Sequence, residues 1–285
     1  VLLKTVEDAK EKESFMKNPA SWLRFLVIGL GLGVALAAAP VSADVWDNDP
    51  GNEDDSVATD NELFHGAIQT HDLLAQGGVP DEDWYVIFSR PFSSYEVLVD
   101  GMQGEVFGTS GPLPVDRVNA SGTILTAGQD PPGGLGSSQS VRWANNTALE
   151  ISDYIRVDGA GSGCADICTA DSQYTIRMWE TTGAIPRFNN SGSQITVLIL
   201  QNPTDYTIGG TVFFWDATGA FLTSQPFSLV AKDVLVLNTN SAAPGFTGSI
   251  TVTNDGRFGD LQGKSVALEP STGFSFDTPM LHRPH

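Results

Sequence analysis

The chain predicts an all-β protein, with two β-sandwich domains, jelly-roll-like and then immunoglobulin-like, behind an N-terminal export signal. Three observations carry this. Short runs of aromatic and β-branched residues recur with turn residues between them. Thirty glycines and 16 prolines accompany few charged residues, a composition of turns and strands rather than long helices. The one long apolar run of the sequence lies near its start and is too short to span a bilayer.

That run is Phe25–Ala39, preceded by Lys17 and Arg24 and broken by Pro40. Fifteen residues at ~1.5 Å each cover about 22 Å, against a hydrocarbon core of about 30 Å. Val41 and Ala43 then supply the small residues of a cleavage site between Ala43 and Asp44. Residues 1–15 do not suit a signal peptide, and Met16 reads as the initiator. The expected product is exported, extracellular or periplasmic, with no membrane span after cleavage.

Residues 44–182 form the first expected sandwich. Its strand candidates are Trp84–Phe88 and Tyr95–Val99, separated by Pro91 and Ser93-Ser94 as in a hairpin, then Thr123–Thr126, Ser140–Trp143, Tyr154–Val157 and Tyr174–Trp179. In the last, Tyr174, Ile176 and Met178 share one face. Glu62–Leu74 is the one segment that reads as a helix. After a linker at Thr181-Thr182-Gly183, residues 183–285 form the second sandwich. It carries Ile195–Leu200, Thr211–Trp215, Phe221–Phe227, Val234–Leu237, Ser249–Thr253, Ser265–Leu268 and Phe274–Pro279. About seven strands in ~100 residues is the count of an immunoglobulin-like domain. No sequence repeat relates the halves.

Charge is unevenly placed. The sequence has 34 acids and 15 bases, a net −19, and loss of residues 1–43 leaves 30 acids and 10 bases, a net −20. This excludes nucleic acid as the expected partner. Between Arg24 and Arg90 there is no Lys or Arg, while residues 44–83 hold twelve acids. Carboxylates ~4 Å apart repel by ~1 kcal/mol even in water. Such a segment either binds cations or stays open to solvent. Hard oxygen donors on an Asn/Asp/Gly-rich stretch suit Ca²⁺. Asp47-Asn48-Asp49 begins like an EF-hand loop and then departs from that spacing.

Asp47–Asp60 (DNDPGNEDDSVATD), followed by Asp81-Glu82-Asp83-Trp84-Tyr85 and closed by Gln173–Trp179 (QYTIRMW), resembles the bacterial pre-peptidase C-terminal domain over roughly residues 44–182. The leader carries extra residues, Gly51–Asp54, relative to that family's pattern. The resemblance implies a non-catalytic β-sandwich attached to exported enzymes, in some members calcium-bound, in others binding collagen or other polymers. It implies Asp49, Asp55, Asp81 and Asp83 as first calcium ligands, with Asp47 and Asp54 after them. The second half resembles a sandwich of secreted bacterial proteins.

Catalytic signatures are scarce. The histidines are His65, His71, His282 and His285, with no H-E-x-x-H and no G-x-S-x-G. A triad is recognised by geometry rather than spacing, and a carboxylate pair can hide among so many acids. The reading is nonetheless not an enzyme; a small secreted hydrolase is the least favoured alternative. Cys164 and Cys168 are expected to form a disulfide in an oxidising compartment, rather than half of a zinc site. Trp143, beside Asn145-Asn146, is the aromatic best placed for exposure and ligand stacking. The triplets at Asn119, Asn145 and Asn189 match glycosylation sequons but read as polar turns. The expected function is a secreted binding or accessory protein stabilised by calcium, with an extracellular protein or polysaccharide as partner. The alternative is a structural or adhesive surface protein working through its second sandwich.

Overall fold

The computed structural model describes Trp46 and residues 54–73, 81–100, 115–129, 138–158 and 173–284. The expected export signal and cleavage site, Asp47, Asp49, Cys164 and Cys168 lie outside the described residues. Among those described, no helix is long and apolar enough to cross a membrane.

The fold is all-β, built from four antiparallel sheets in two sandwich bodies. The first body contains β1 (Ile68–His71), β2 (Glu82–Ser89), β3 (Ser93–Asp100), β4 (Val115–Val118), β5 (Ile124–Ala127), β6 (Gln139–Asn145), β7 (Ile151–Asp158) and β8 (Tyr174–Glu180). Its sheets run in the orders β2-β7-β4-β5 and β1-β8-β3-β6. Period-two alternation puts Tyr174, Ile176 and Met178 of β8 inside, as the sequence predicts. They meet Tyr85 and Ile87 of β2, Val97 and Val99 of β3, and Ile155 and Val157 of β7 in one core.

Two local expectations are corrected. The described part of the expected helix Glu62–Leu74, residues 62–73, is not helical. Glu62 bridges Val86, His65 bridges Met178, and Ile68–His71 is β1, paired with β8. The mixed polar and β-branched run Ile68-Gln69-Thr70-His71 alternates at period two, and its sheet partner outweighs a marginal helical pattern. Nor do β2 and β3 form a hairpin. β2 pairs with β7, and β3 with β6 and β8, so the Arg90–Phe92 turn carries the chain from one sheet to the other.

Trp143 is a further correction, because it lies in the core at 6% exposure. β6 turns Val141, Trp143 and Asn145 inward together. The indole N–H donates to Asp153 Oδ2 at 2.9 Å, and the ring stacks on Tyr95. An indole that is both packed and hydrogen-bonded has no face left for a ligand.

The second body contains β9 (Gly183–Asn189), β10 (Ile195–Gln201), β11 (Ile208–Asp216), β12 (Phe221–Leu229), β13 (Val234–Asn238), β14 (Thr247–Asn254), β15 (Gln262–Glu269), β16 (Phe274–Pro279) and β17 (Leu281–His282). Its sheets are β12-β11-β14-β9-β17 and β13-β10-β15-β16. All seven expected strands are present, with β9 and β17 in addition. Ile185, Phe188, Leu198, Leu200, Val212, Phe214 and Val252 anchor its core.

The bodies are joined tightly. Thr181 and Thr182 between β8 and β9 are both buried, so the expected linker is a packed joint. The outer face of β3 is covered by the second body: Asn254 N–H donates to Ser94 Oγ, and Phe258 N–H to Glu96 Oε2. Burial pushes the Glu96 carboxyl above its ordinary range, against the pull of the Phe258 N–H and Arg257. Phe92 takes a left-handed backbone (φ 51°), and its ring lies 4.8 Å from Trp215 and 5.0 Å from Phe213. Glu180 receives Arg90 at 2.5 Å and Arg283 at 2.7 Å.

The sequon-like triplets are Asx turns. Asn119, Asn145 and Asn189 each accept, through Oδ1, the N–H of the Ser or Thr two residues on. Asn202-Pro203-Thr204, which is no sequon, makes the same turn. The Asn202 amide also donates to the carbonyls of Tyr206, Leu229 and Val230, tying β10 to the end of β12. Asn202→Ala removes these three bonds and the acceptor of the Thr204 N–H at a buried site, and should cost about 2–3 kcal/mol, read as a lowered urea midpoint with an unchanged m-value.

Candidate metal centre

β2 places Asp83, Tyr85 and Ile87 on one inward face. A strand that begins Glu-Asp-Trp-Tyr therefore drives a carboxylate into the end of the core. Across the gap, His71 at the end of β1 pairs with Tyr174 at the start of β8. The acidic leader supplies the third side. Asp54 C=O accepts the N–H of Trp84 at 2.7 Å, and Asn61 C=O accepts that of Val86 at 2.9 Å, so the chain runs alongside β2.

These three segments bring Asp54, His71 and Asp83 together, with one ligand atom of each within 4.8 Å of the others. All are sealed, at 0%, 1% and 0% exposure. His71 Nδ1 lies 3.4 Å from Asp54 Oδ2, and Asn61 Nδ2 reaches the same oxygen at 3.5 Å. His71 Nε2 faces Gln69 Oε1 at 3.0 Å. With its proton on Nε2, donated to that amide oxygen, the ring would offer Nδ1 as an electron-pair donor, the tautomer of metal-bound imidazoles. The imidazole is clamped by Tyr85 edge-on at 5.0 Å and stacked between Trp46 and Tyr174 at 5.8 Å each.

The Tyr174 hydroxyl donates to Asp83, and lies 2.6 Å from the Tyr85 hydroxyl. Burial, then the charge of Asp83, raise the Tyr174 pKa well above its ordinary value. The phenol therefore stays protonated and acts only as a donor to the carboxylate. Among the described residues, Asp54 Oδ1 and Asn61 Oδ1 are buried without a hydrogen-bond partner. Two carboxylates, one imidazole and spare oxygens in a sealed space fit a cation, and this group could hold a metal ion. Separations within 4.8 Å, and 3.4 Å for His71 Nδ1 and Asp54 Oδ2, are compatible with donors around one ion at bonds of about 2.0–2.6 Å.

Of the acids that sequence reasoning singled out, Asp54 and Asp83 meet here. Asp55, the next residue along from Asp54, is exposed. Asp81 is buried at the entry to β2 and is not one of the three grouped ligands. His71 went unrecognised as a ligand, because no spacing motif links it to Asp54 or Asp83. Its alternation with Gln69 in a four-residue strand is the only local signal. Cavities of about 200 and 270 Å³ lie elsewhere and are lined by other residues.

The phenol–carboxylate pair sets an alkaline limit. A pKa raised on folding gives stability that is full below about 10, the unfolded tyrosine value, and is lost as pH rises through the folded value. Alkaline difference spectra should show Tyr174 ionising only with unfolding. Tyr174→Phe should abolish that component and lower stability at neutral pH by about 1–3 kcal/mol, since Asp83 loses the phenol as a donor.

No protein-family model matches the sequence, and no curated protein matches it. Among solved structures, the chain is similar to a β-glucuronidase from glycoside hydrolase family 2, at 11% identity and a TM-score of 0.19, over 73% of this chain and 25% of that one. It is also similar to Bacteroides uniformis β-glucuronidase 2 covalently bound to cyclophellitol-6-carboxylate aziridine, at 12% identity and a TM-score of 0.18, over 69% of this chain and 26% of that one. The chain spans about a quarter of the length of those proteins, and at such scores the likeness carries no argument about activity.

Proposed function

We propose that this chain is an exported, non-catalytic accessory protein whose first sandwich is held together by a divalent cation at Asp54, His71 and Asp83. One observation carries the reading: three ligands from three separate segments converge in a site too buried for a substrate to reach. A cation there joins the leader, β1 and β2, cancels the repulsion of two carboxylates and orders residues that have little apolar surface to bury. That is a structural role, not Lewis-acid chemistry.

The donor set bears on the identity of the ion. An imidazole nitrogen with two carboxylates favours zinc or a similar borderline ion. Calcium, expected from the acidic leader, is the second reading, supported by two further buried carboxylates close in sequence, Asp72 and Asp81, for an ion that takes six to eight oxygens.

Elemental analysis of the purified protein should find one equivalent of metal. At a hundredfold excess over Kd the ion should add ~2.7 kcal/mol. Melts in EDTA should fall by roughly 10 °C for a domain of this size. Asp54→Ala and His71→Ala should melt at the EDTA temperature whatever the metal supplied. Superimposable melts with EDTA, zinc and calcium would remove the cation from the reading.

An adhesive role through the second sandwich has its own support. On the outward face of β13-β10-β15, Val236 lies opposite Ile199, Val197 opposite Val266, and Ile195 opposite Leu268. Val236 and Leu268 are exposed there. A contiguous aliphatic face of this kind marks a contact surface. Val236→Asp with Leu268→Asp should abolish adhesion to cells while leaving the melt of the first sandwich unchanged; adhesion that survives the pair sinks this reading.

A further inference from the structure

A groove distinct from the metal cluster lies where residues 61–66 cross from β2 to β8. Its volume is about 270 Å³. That is below the roughly 300–1,000 Å³ of drug-sized sites, and right for one long side chain rather than a cofactor. The floor is apolar: Leu63, Ile87 and Met178, all buried. Phe64 and Phe88 line it as well, at 59% and 45% exposure. Glu62 also lines the groove, and its carboxylate makes no hydrogen bond or ion pair among the described residues.

Each element restricts what can enter. An apolar floor takes methylene groups. Exposed phenyl faces attract a cation. An unpaired carboxylate beside them needs a donor bearing positive charge. At the other end, Arg90 is turned to Glu180 and donates as well to Pro284 C=O, so its guanidinium is already committed. An anionic ligand would therefore meet Glu62 without a free cation to offset it. Burial, and behind it the charge of Glu150, push the Glu62 carboxyl above its ordinary range, as for an acid that lacks its counter-ion.

We infer that this groove receives a lysine side chain of a protein partner, its methylenes on Leu63, Ile87 and Met178, its ammonium between Glu62 and the rings of Phe64 and Phe88. The strongly acidic surface of the chain, net −19 overall, steers basic partners towards it. The inference does not depend on the metal, because none of the three ligands lines the groove.

The test uses the whole purified protein and two probes, Nα-acetyl-lysine methylamide and its Nε-acetylated form. Methyl NMR spectra should show Ile87 and Met178 shifting with the first probe at millimolar concentration, and the shift weakening as salt is added. The Nε-acetylated probe should bind about tenfold more weakly, and so should the lysine probe on Glu62→Gln, the size expected for one charge-assisted contact. The Glu62 carboxylate supports no neighbour, so Glu62→Gln should fold normally, and the two-probe comparison needs no variant at all. Equal binding of both probes, shifts confined to other residues, or movement of these methyls by neutral oligosaccharides and not by lysine would each overturn the inference. EDTA should leave lysine binding unchanged, which separates failure here from failure of the metal reading.

Discussion

Glu180 ends β8 at the joint between the sandwiches, and its carboxylate is almost wholly buried. Arg90 from the β2–β3 crossing and Arg283 just after β17 both close on it. Arg283 also donates its N–H to Thr182 C=O and its guanidinium to Pro91 C=O and to Ser93. A buried carboxylate with two arginines is costly to break, because removing one partner leaves charge stranded in low dielectric. The joint has no slack: only Thr181 and Thr182 separate β8 from β9, and both are buried. The strained backbone of Phe92 is held there by the Phe213, Trp215 and Phe221 rings.

The same physical demand recurs wherever an acid is turned inward. Asp153 is met by Arg117, the Trp143 indole and Ser89. Glu96 is met by the Phe258 N–H, with Arg257 at 3.5 Å. Among the described residues, Asp54 meets His71 and Asn61, and Asp83 meets the Tyr174 hydroxyl. These acids belong to the stretch in which the sequence runs from Arg24 to Arg90 without a Lys or Arg. The lysine groove borders the same base-free segment, at Glu62, and the proposed partner supplies there the positive charge that the chain withholds.

Much of this was legible beforehand. Strands with clean alternation, such as Tyr174–Glu180 and Ile195–Gln201, follow from side-chain period alone. Pairing was less visible. Trp84–Phe88 and Tyr95–Val99 look like a hairpin because they are adjacent, yet each finds its partners far along the chain, and a three-residue crossing between sheets has no local signature. Trp143 looked exposed because polar residues follow it. Its burial depends on Asp153 and Tyr95, neither of which is near in sequence.

The sequence by itself determined the fold class, the strand faces and the excess of acid without base in residues 44–83, because these depend on side-chain type and period-two geometry. Only the tertiary structure decided which acids meet. It drew Asp54 and Asp83 together, turned Asp55 to solvent and brought His71 into the cluster from a strand that looked helical. The reason is that ligand convergence is a property of register between sheets. A one-residue slip of β2 would send Asp83 outward, and no motif in the linear chain records which face it takes.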